Sequence, residues 1–149
     1  MKALRWLLAL PILVVMSGGF AQAQSVGTAA EAKAMLEKVV VAMKANQAKT
    51  LEDITKGVYK DRDLYPFCGG PDGKFTAHGA NQSLVGQSMM ERKDPSGKAY
   101  GEEFYKVAQD GKFAEVSYVY PKPGDTTPVP KVAYITKIGD QVCGVGYYK

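Results

Sequence analysis

The chain has 149 residues, 46% of them hydrophobic, with 19 Lys and Arg against 15 Asp and Glu for a net charge of +4. That length suits a single domain with its own core. The excess charge is small and the basic residues are spread along the chain, which argues against nucleic acid as a partner.

Lys2 and Arg5 precede an apolar stretch from Trp6 to about Met16, and Ala21-Gln22-Ala23 supplies the small-x-small pattern of a signal peptidase site. The stretch holds about 11 apolar residues against the roughly 20 needed to span a bilayer, so 1–23 reads as a signal peptide cleaved after Ala23 instead of an anchor. The domain is then 24–149, expected to be periplasmic or secreted with no membrane span. Removing Lys2 and Arg5 takes the basic count from 19 to 17 and the net charge to +2.

Thr28 and Glu31 form a capping-box pattern, and Met35, Leu36, Val39, Val40 and Met43 follow at helical spacing, which predicts a helix over 29–46. A second start signal lies at Thr50 with Asp53, with Gly57 as its stop. Leu64, Tyr65 and Phe67 supply strand-forming bulk, the turn Pro71-Asp72-Gly73 reverses the chain, and 74–77 returns as a second strand ending at His78, the only histidine. The segment 86–97 reads as an irregular connection and 100–110 as a short helix closed by Gly111. Strands are predicted over 112–120, 132–137 and 141–148, with Gly139-Asp140 as the last hairpin turn. The segment 121–130 carries four of the eight prolines and is expected to be an exposed loop. Helices grouped around an antiparallel sheet make the fold class α+β.

Cys68 and Cys143 stand 75 positions apart in a chain addressed to an oxidising compartment, where an even count favours a disulfide. The competing reading is a reactive Cys68 thiol paired with His78, a nucleophile and base. Beyond that pair, one histidine, no serine in an elbow motif, no paired acids in a glycine-framed turn and no haem attachment motif leave no mechanism to build, so the chain reads as non-enzymatic, without metal or cofactor.

Asp63-Leu64-Tyr65, the Asp72-Gly73 turn, Ala77-His78, Leu84-Val85-Gly86, Asp94-Pro95-x-Gly97, Tyr118-x-Tyr120-Pro121, Lys131-x-x-Tyr134 and Gly144-Val145-Gly146-Tyr147 together resemble single Cache domains of type 2, the PAS-like extracytoplasmic sensor domains of bacterial chemoreceptors and histidine kinases. The resemblance covers 29–148. It implies a long N-terminal helix, an antiparallel sheet of about five strands, and a small-molecule pocket between the sheet and its covering loops. It also implies short organic acids such as acetate, propionate, pyruvate or lactate as ligands. Family members usually sit between two membrane helices, whereas this sequence stops at Lys149 in its last strand, so a stand-alone exported form is expected, working with a membrane-bound histidine kinase or chemoreceptor. They also commonly carry an apolar residue where Cys68 and Cys143 stand, which makes the disulfide an added staple.

A carboxylate needs fixed donors, and the candidates are Tyr65, His78, Arg92, Tyr118, Tyr120, Lys131 and Tyr134. Tyr118 and Tyr120 share one strand face by the two-residue period. Lys131 is expected at a rim just after the proline segment. Lys131 and Tyr134 are three apart, so both serve one ligand only if a bulge intervenes. The rival reading is an accessory domain without ligand, docking through its helix or the 121–130 loop. An exposed apolar patch on the helix with no enclosed cavity is the sign of that reading.

Overall fold

The computed structural model describes residues 26–149; the expected signal peptide lies outside them. Helix α1 (Ala29–Ala45) opens with both halves of the capping box, Thr28 taking the Glu31 N–H and Glu31 taking the Thr28 N–H. It buries Ala32, Leu36, Val39 and Met43, one stripe at helical spacing. Helix α2 (Gln47–Thr55) is capped by Asn46, four residues before the predicted cap at Thr50. Asn46 ends α1 and caps α2 at once, its side chain accepting from Lys49 N, while the Thr50 hydroxyl donates back to Asn46 O inside the helix. Gly57, at φ 79°, stops α2 as expected.

Strands β1 (Pro66–Gly69) and β2 (Phe75–His78) form the predicted hairpin, with His78 inside β2 and opposite Phe67. The segment 86–97 is irregular, as its turn chemistry implied. Asp94 organises it, one carboxylate oxygen accepting from the Ser96 and Lys98 N–H groups and the other from Val119 N. Helix α3 (Tyr100–Val107) is shorter than predicted. Strands β3 (Ala114–Pro121), β4 (Pro128–Ile138) and β5 (Gln141–Tyr148) complete a five-stranded antiparallel sheet in the order β2-β1-β5-β4-β3. The α+β class and the five-stranded antiparallel sheet are as expected.

The proline segment departs from expectation. Pro121, Pro128 and Pro130 lie in strands, with Pro121 opposite Pro128 and Val119 opposite Pro130. The Val119 N–H points out to Asp94, so Val119 and Pro130 form a non-hydrogen-bonded pair and the nitrogens of Pro128 and Pro130 face the β5 side. Strand β5 ends at Tyr148, opposite Lys131, so no ladder donor is missed there.

Each sheet face has its own core. On the α1 face lie Leu36, Val39, Ile54, Leu64, Ala77, Ile138 and Val145 around the Cys68–Cys143 disulfide, which joins residues directly opposite each other on β1 and β5. Both cysteines are consumed in that bond, which removes the thiol nucleophile reading. On the α3 face lie Tyr65, Phe67, Phe75, Met89, Tyr100, Phe104, Val116, Tyr118 and Ile135. None of the helices among the described residues is long and apolar enough to cross a membrane.

Candidate functional site

The α3 face holds a cavity of about 20 Å³, room for a water molecule, lined by Tyr65, Phe67, Phe75, His78, Tyr100, Phe104, Tyr118 and Tyr120. Tyr65, His78 and Tyr120 also line an outer depression of about 180 Å³ roofed by the β3–β4 turn at Lys122, Pro123 and Gly124. The two spaces share a wall, so the outer one reads as the vestibule of the inner.

Lys131 does not stand at a rim. It is 1% exposed, and its ammonium donates to the hydroxyls of Tyr65 at 2.8 Å and Tyr148 at 3.2 Å. It also lies 4.2, 4.6 and 5.2 Å from the ring centres of Tyr65, Tyr148 and Tyr120, within cation–π range. The cause is Gly146. A Cβ there would sit 2.3 Å from Lys131 Cε, so only glycine lets the lysine stem lie flat across β5 towards Tyr65. Burial pulls the Lys131 ammonium down to about 7, with the Asp63 carboxylate opposing the loss of its proton. Lys131 therefore acts from behind the Tyr65 and Tyr120 rings and not from the cavity wall.

His78 is 4% exposed, its Nδ1 accepting from the Ala80 N–H at 3.3 Å and the Asn81 N–H at 3.0 Å. An acceptor at Nδ1 makes the ring the neutral tautomer with its hydrogen on Nε2. Burial first, then the positive charges of Lys131 and Arg92, hold its pKa down to about 3. Its ring packs on Tyr65 at 5.0 Å and edge-on to Phe75 at 5.5 Å. Arg92 lies over the Phe75 ring at 5.7 Å, anchored to Ser88 O and Gln87 Oε1.

Tyr118 and Tyr120 do share a face, Tyr118 stacking on Tyr100 at 4.5 Å. Burial raises the pKa values of Tyr65 and Tyr118 well above the usual 10 and of Tyr100 to about 12, so all three keep their hydroxyl protons at neutral pH. Tyr134 does not join them. The β4–β5 register runs without a bulge, so Tyr134 falls on the opposite face from Lys131 and packs on Tyr147 in the α1 layer.

Sequence reasoning missed Tyr100, Tyr148 and the aromatic floor of Phe67, Phe75 and Phe104. A signal for Tyr148 existed: Gly144 and Gly146 alternate with it on one strand face, an emptied face that large side chains from neighbouring strands can occupy. Identifying the occupant requires the strand register.

Chemically, the cavity offers phenol O–H and imidazole N–H donors, an aromatic floor, and no carboxylate in its lining. Two cations stand behind it. The arrangement complements a small anion with an apolar tail.

A family model described as a Cache domain matches residues 26–148. The chain is 31% identical over 106 residues to the methyl-accepting chemotaxis protein McpP of Pseudomonas putida, covering 70% of this chain and 19% of that protein. Among solved structures, a methyl-accepting chemotaxis protein from Vibrio parahaemolyticus superposes with a TM-score of 0.67 at 26% identity, covering 80% of this chain and 86% of that one. A Cache chemosensory domain whose structure was described as the basis for carboxylic acid recognition superposes with a TM-score of 0.59 at 26% identity, covering 78% of this chain and 84% of that one.

Proposed function

The chain belongs to the Cache domain family, and from that premise we propose that it is a periplasmic sensor module that binds a short-chain carboxylate and presents its bound state to a membrane-bound chemoreceptor or histidine kinase. In this reading 1–23 is a signal peptide cleaved near Ala23, and the 24–149 domain senses and does not catalyse.

The observation that carries the proposal is the lining of the aromatic cavity by phenol and imidazole donors without a carboxylate, with Lys131 behind it. Tyr65 accepts from the Lys131 ammonium, which makes its own O–H a stronger donor. The carboxylate would be met by Tyr65, His78 Nε2–H, Tyr118 and Tyr120, while its short alkyl end faces Phe67, Phe75 and Phe104. Arg92, over the Phe75 ring, adds positive potential that draws the anion inwards. The cavity is smaller than such a ligand, so binding displaces aromatic side chains from their unliganded positions. The likeness to a Cache domain described as recognising carboxylic acids supports the same ligand class.

The docking reading called for an exposed apolar helix patch without an enclosed cavity. Helix α1 does expose Val41 at 70%, while the other sheet face holds the aromatic cavity that the ligand reading requires.

Calorimetry and thermal shift of ligand-free protein against acetate, propionate, pyruvate and lactate test the proposal. A binding acid at one hundred times its Kd should stabilise the fold by about 2.7 kcal/mol. No stabilisation by any of the four would sink it.

A further inference from the structure

The β3–β4 turn roofs the vestibule, and the two residues at its base, Pro121 and Pro128, stand opposite each other. Val119 and Pro130 are a non-hydrogen-bonded pair, so by alternation Pro121 and Pro128, two places on, are another. The Pro121 carbonyl therefore takes no ladder bond from β4, and neither proline has an N–H to offer. Beyond this base the turn is braced internally, the Asp125 N–H donating to Lys122 O at 2.9 Å with Gly124 at φ 79°.

Tyr148, the last residue of β5, supplies what the ladder does not. Its hydroxyl donates to Pro121 O at 2.8 Å, and its ring centre lies 5.6 Å from the Lys122 ammonium, within cation–π range. One side chain thus grips two consecutive residues where the turn begins. The direction of the hydroxyl bond is fixed from both sides. The Lys131 ammonium can only donate, and it meets the Tyr148 oxygen at 3.2 Å; the Pro121 carbonyl can only accept. Accepting from a cation makes the Tyr148 hydroxyl a stronger donor to Pro121. The same ammonium donates to Tyr65, a residue of the cavity wall. The site and the roof over its entrance share one cation.

We propose that Tyr148 is a positioning residue that latches the β3–β4 turn, residues 122–127, over the vestibule, and that Lys131 ties this latch to the ligand site. Tyr65, His78 and Tyr120 line both spaces and Lys122, Pro123 and Gly124 roof the outer one, so an acid bound for the cavity passes beneath the turn. The latch sets how fast that acid enters and leaves, in both directions alike. This gating role rests on the carboxylate reading; the latch itself does not.

The test begins with amide hydrogen exchange, read by NMR without ligand on protein exported to and purified from a bacterial periplasm. Tyr148→Phe keeps the ring and removes the hydroxyl. Exchange of the Asp125 amide should speed about fivefold, the weight of one net hydrogen bond. The Gly73 amide, bonded to Gly70 O in the β1–β2 turn, should keep its rate. An unchanged Asp125 rate, or an equal acceleration at Gly73, overturns the latch. Lys131→Met leaves the Tyr148 hydroxyl in place without its cation, and Asp125 should then exchange at a rate between wild type and Tyr148→Phe. The wild-type rate in Lys131→Met overturns the tie to the site, and if Tyr148→Phe does not fold this variant decides alone.

Propionate is then titrated, and the line shapes of the His78 ring give its entry and exit rates. In Tyr148→Phe both should rise by about the same fivefold factor, leaving Kd unchanged. A changed Kd with an unchanged exit rate overturns the gating role. No response of wild type to propionate, acetate, pyruvate or lactate overturns the carboxylate reading and the gating that rests on it, and leaves the latch to the exchange result.

Discussion

The two faces of the sheet share strands, yet they are built for different ends. The α1 face is mainly aliphatic and closed by the disulfide, with Leu36, Val39, Cys68, Cys143 and Val145 fully buried. The α3 face is aromatic and holds a buried lysine and histidine beside a cavity. Alternation along β4 and β5 assigns one residue to each face in turn, so Val132 and Tyr134 lie on the α1 face while Lys131, next to Val132 on the same strand, lies on the α3 face. Both faces bury a hydrophobic cluster, but only the α3 face places a lysine and a histidine inside it.

The largest way to break this contrast is to remove the staple. Replacing Cys68 and Cys143 together by serine should cost about 4 kcal/mol in urea unfolding, since the bond closes a 75-residue separation. Next, Leu36→Ala leaves a hole on the α1 face and should cost about 2–5 kcal/mol by the same measurement, with the thermal shift from acetate retained while the protein is folded.

On the other face the ligand response is the sensitive quantity. Lys131→Met removes the cation behind the Tyr65 ring and leaves the Tyr148 hydroxyl still donating to Pro121 O, so the thermal shift given by a binding acid should be lost while urea unfolding stays cooperative. A variant that keeps the full ligand response would show that the lysine serves the fold and not the site, and erase the contrast.

A graded effect is expected from pH. The folded value for Lys131, about 7, is below the ordinary 10.5, so between them the unfolded chain binds more protons and stability rises with pH, by at most about 1.4 kcal/mol per unit. Above 10 the trend turns over, because Tyr65 and Tyr118 hold their protons longer when folded than when unfolded. Chemical unfolding at pH 7, 8.5 and 10 reads the slope. Smallest of all, His78 should show no NMR titration between pH 5 and 8, because its pKa is held near 3; a midpoint near 6.5 would mean that the ring is solvated and not part of the buried wall.

Much of the fold was legible along the chain. The capping box at Thr28 and Glu31, the turn at Gly73 and the hairpin at Gly139-Asp140 are local devices, and each stands where it was read. The second helix was misplaced because Asn46 caps it, and an asparagine between two helical runs does not declare which one it serves. The proline strands were missed because their tolerance depends on where β5 ends. In the candidate site, Tyr65, His78, Tyr118 and Tyr120 are brought together, and Arg92 lies close to them. Tyr134 is excluded by the parity that its spacing from Lys131 already warned of.

By itself the sequence determined the family, the fold class, most element boundaries and the candidate donors, because capping, turn chemistry and periodicity are written within a few residues. Only the tertiary structure decided that Lys131 is buried and not at a rim, and that Tyr148 is its partner. Those outcomes depend on which strands are neighbours and in what register, and on the absence of a side chain at Gly146, a contact between residues fifteen positions apart that no local pattern encodes.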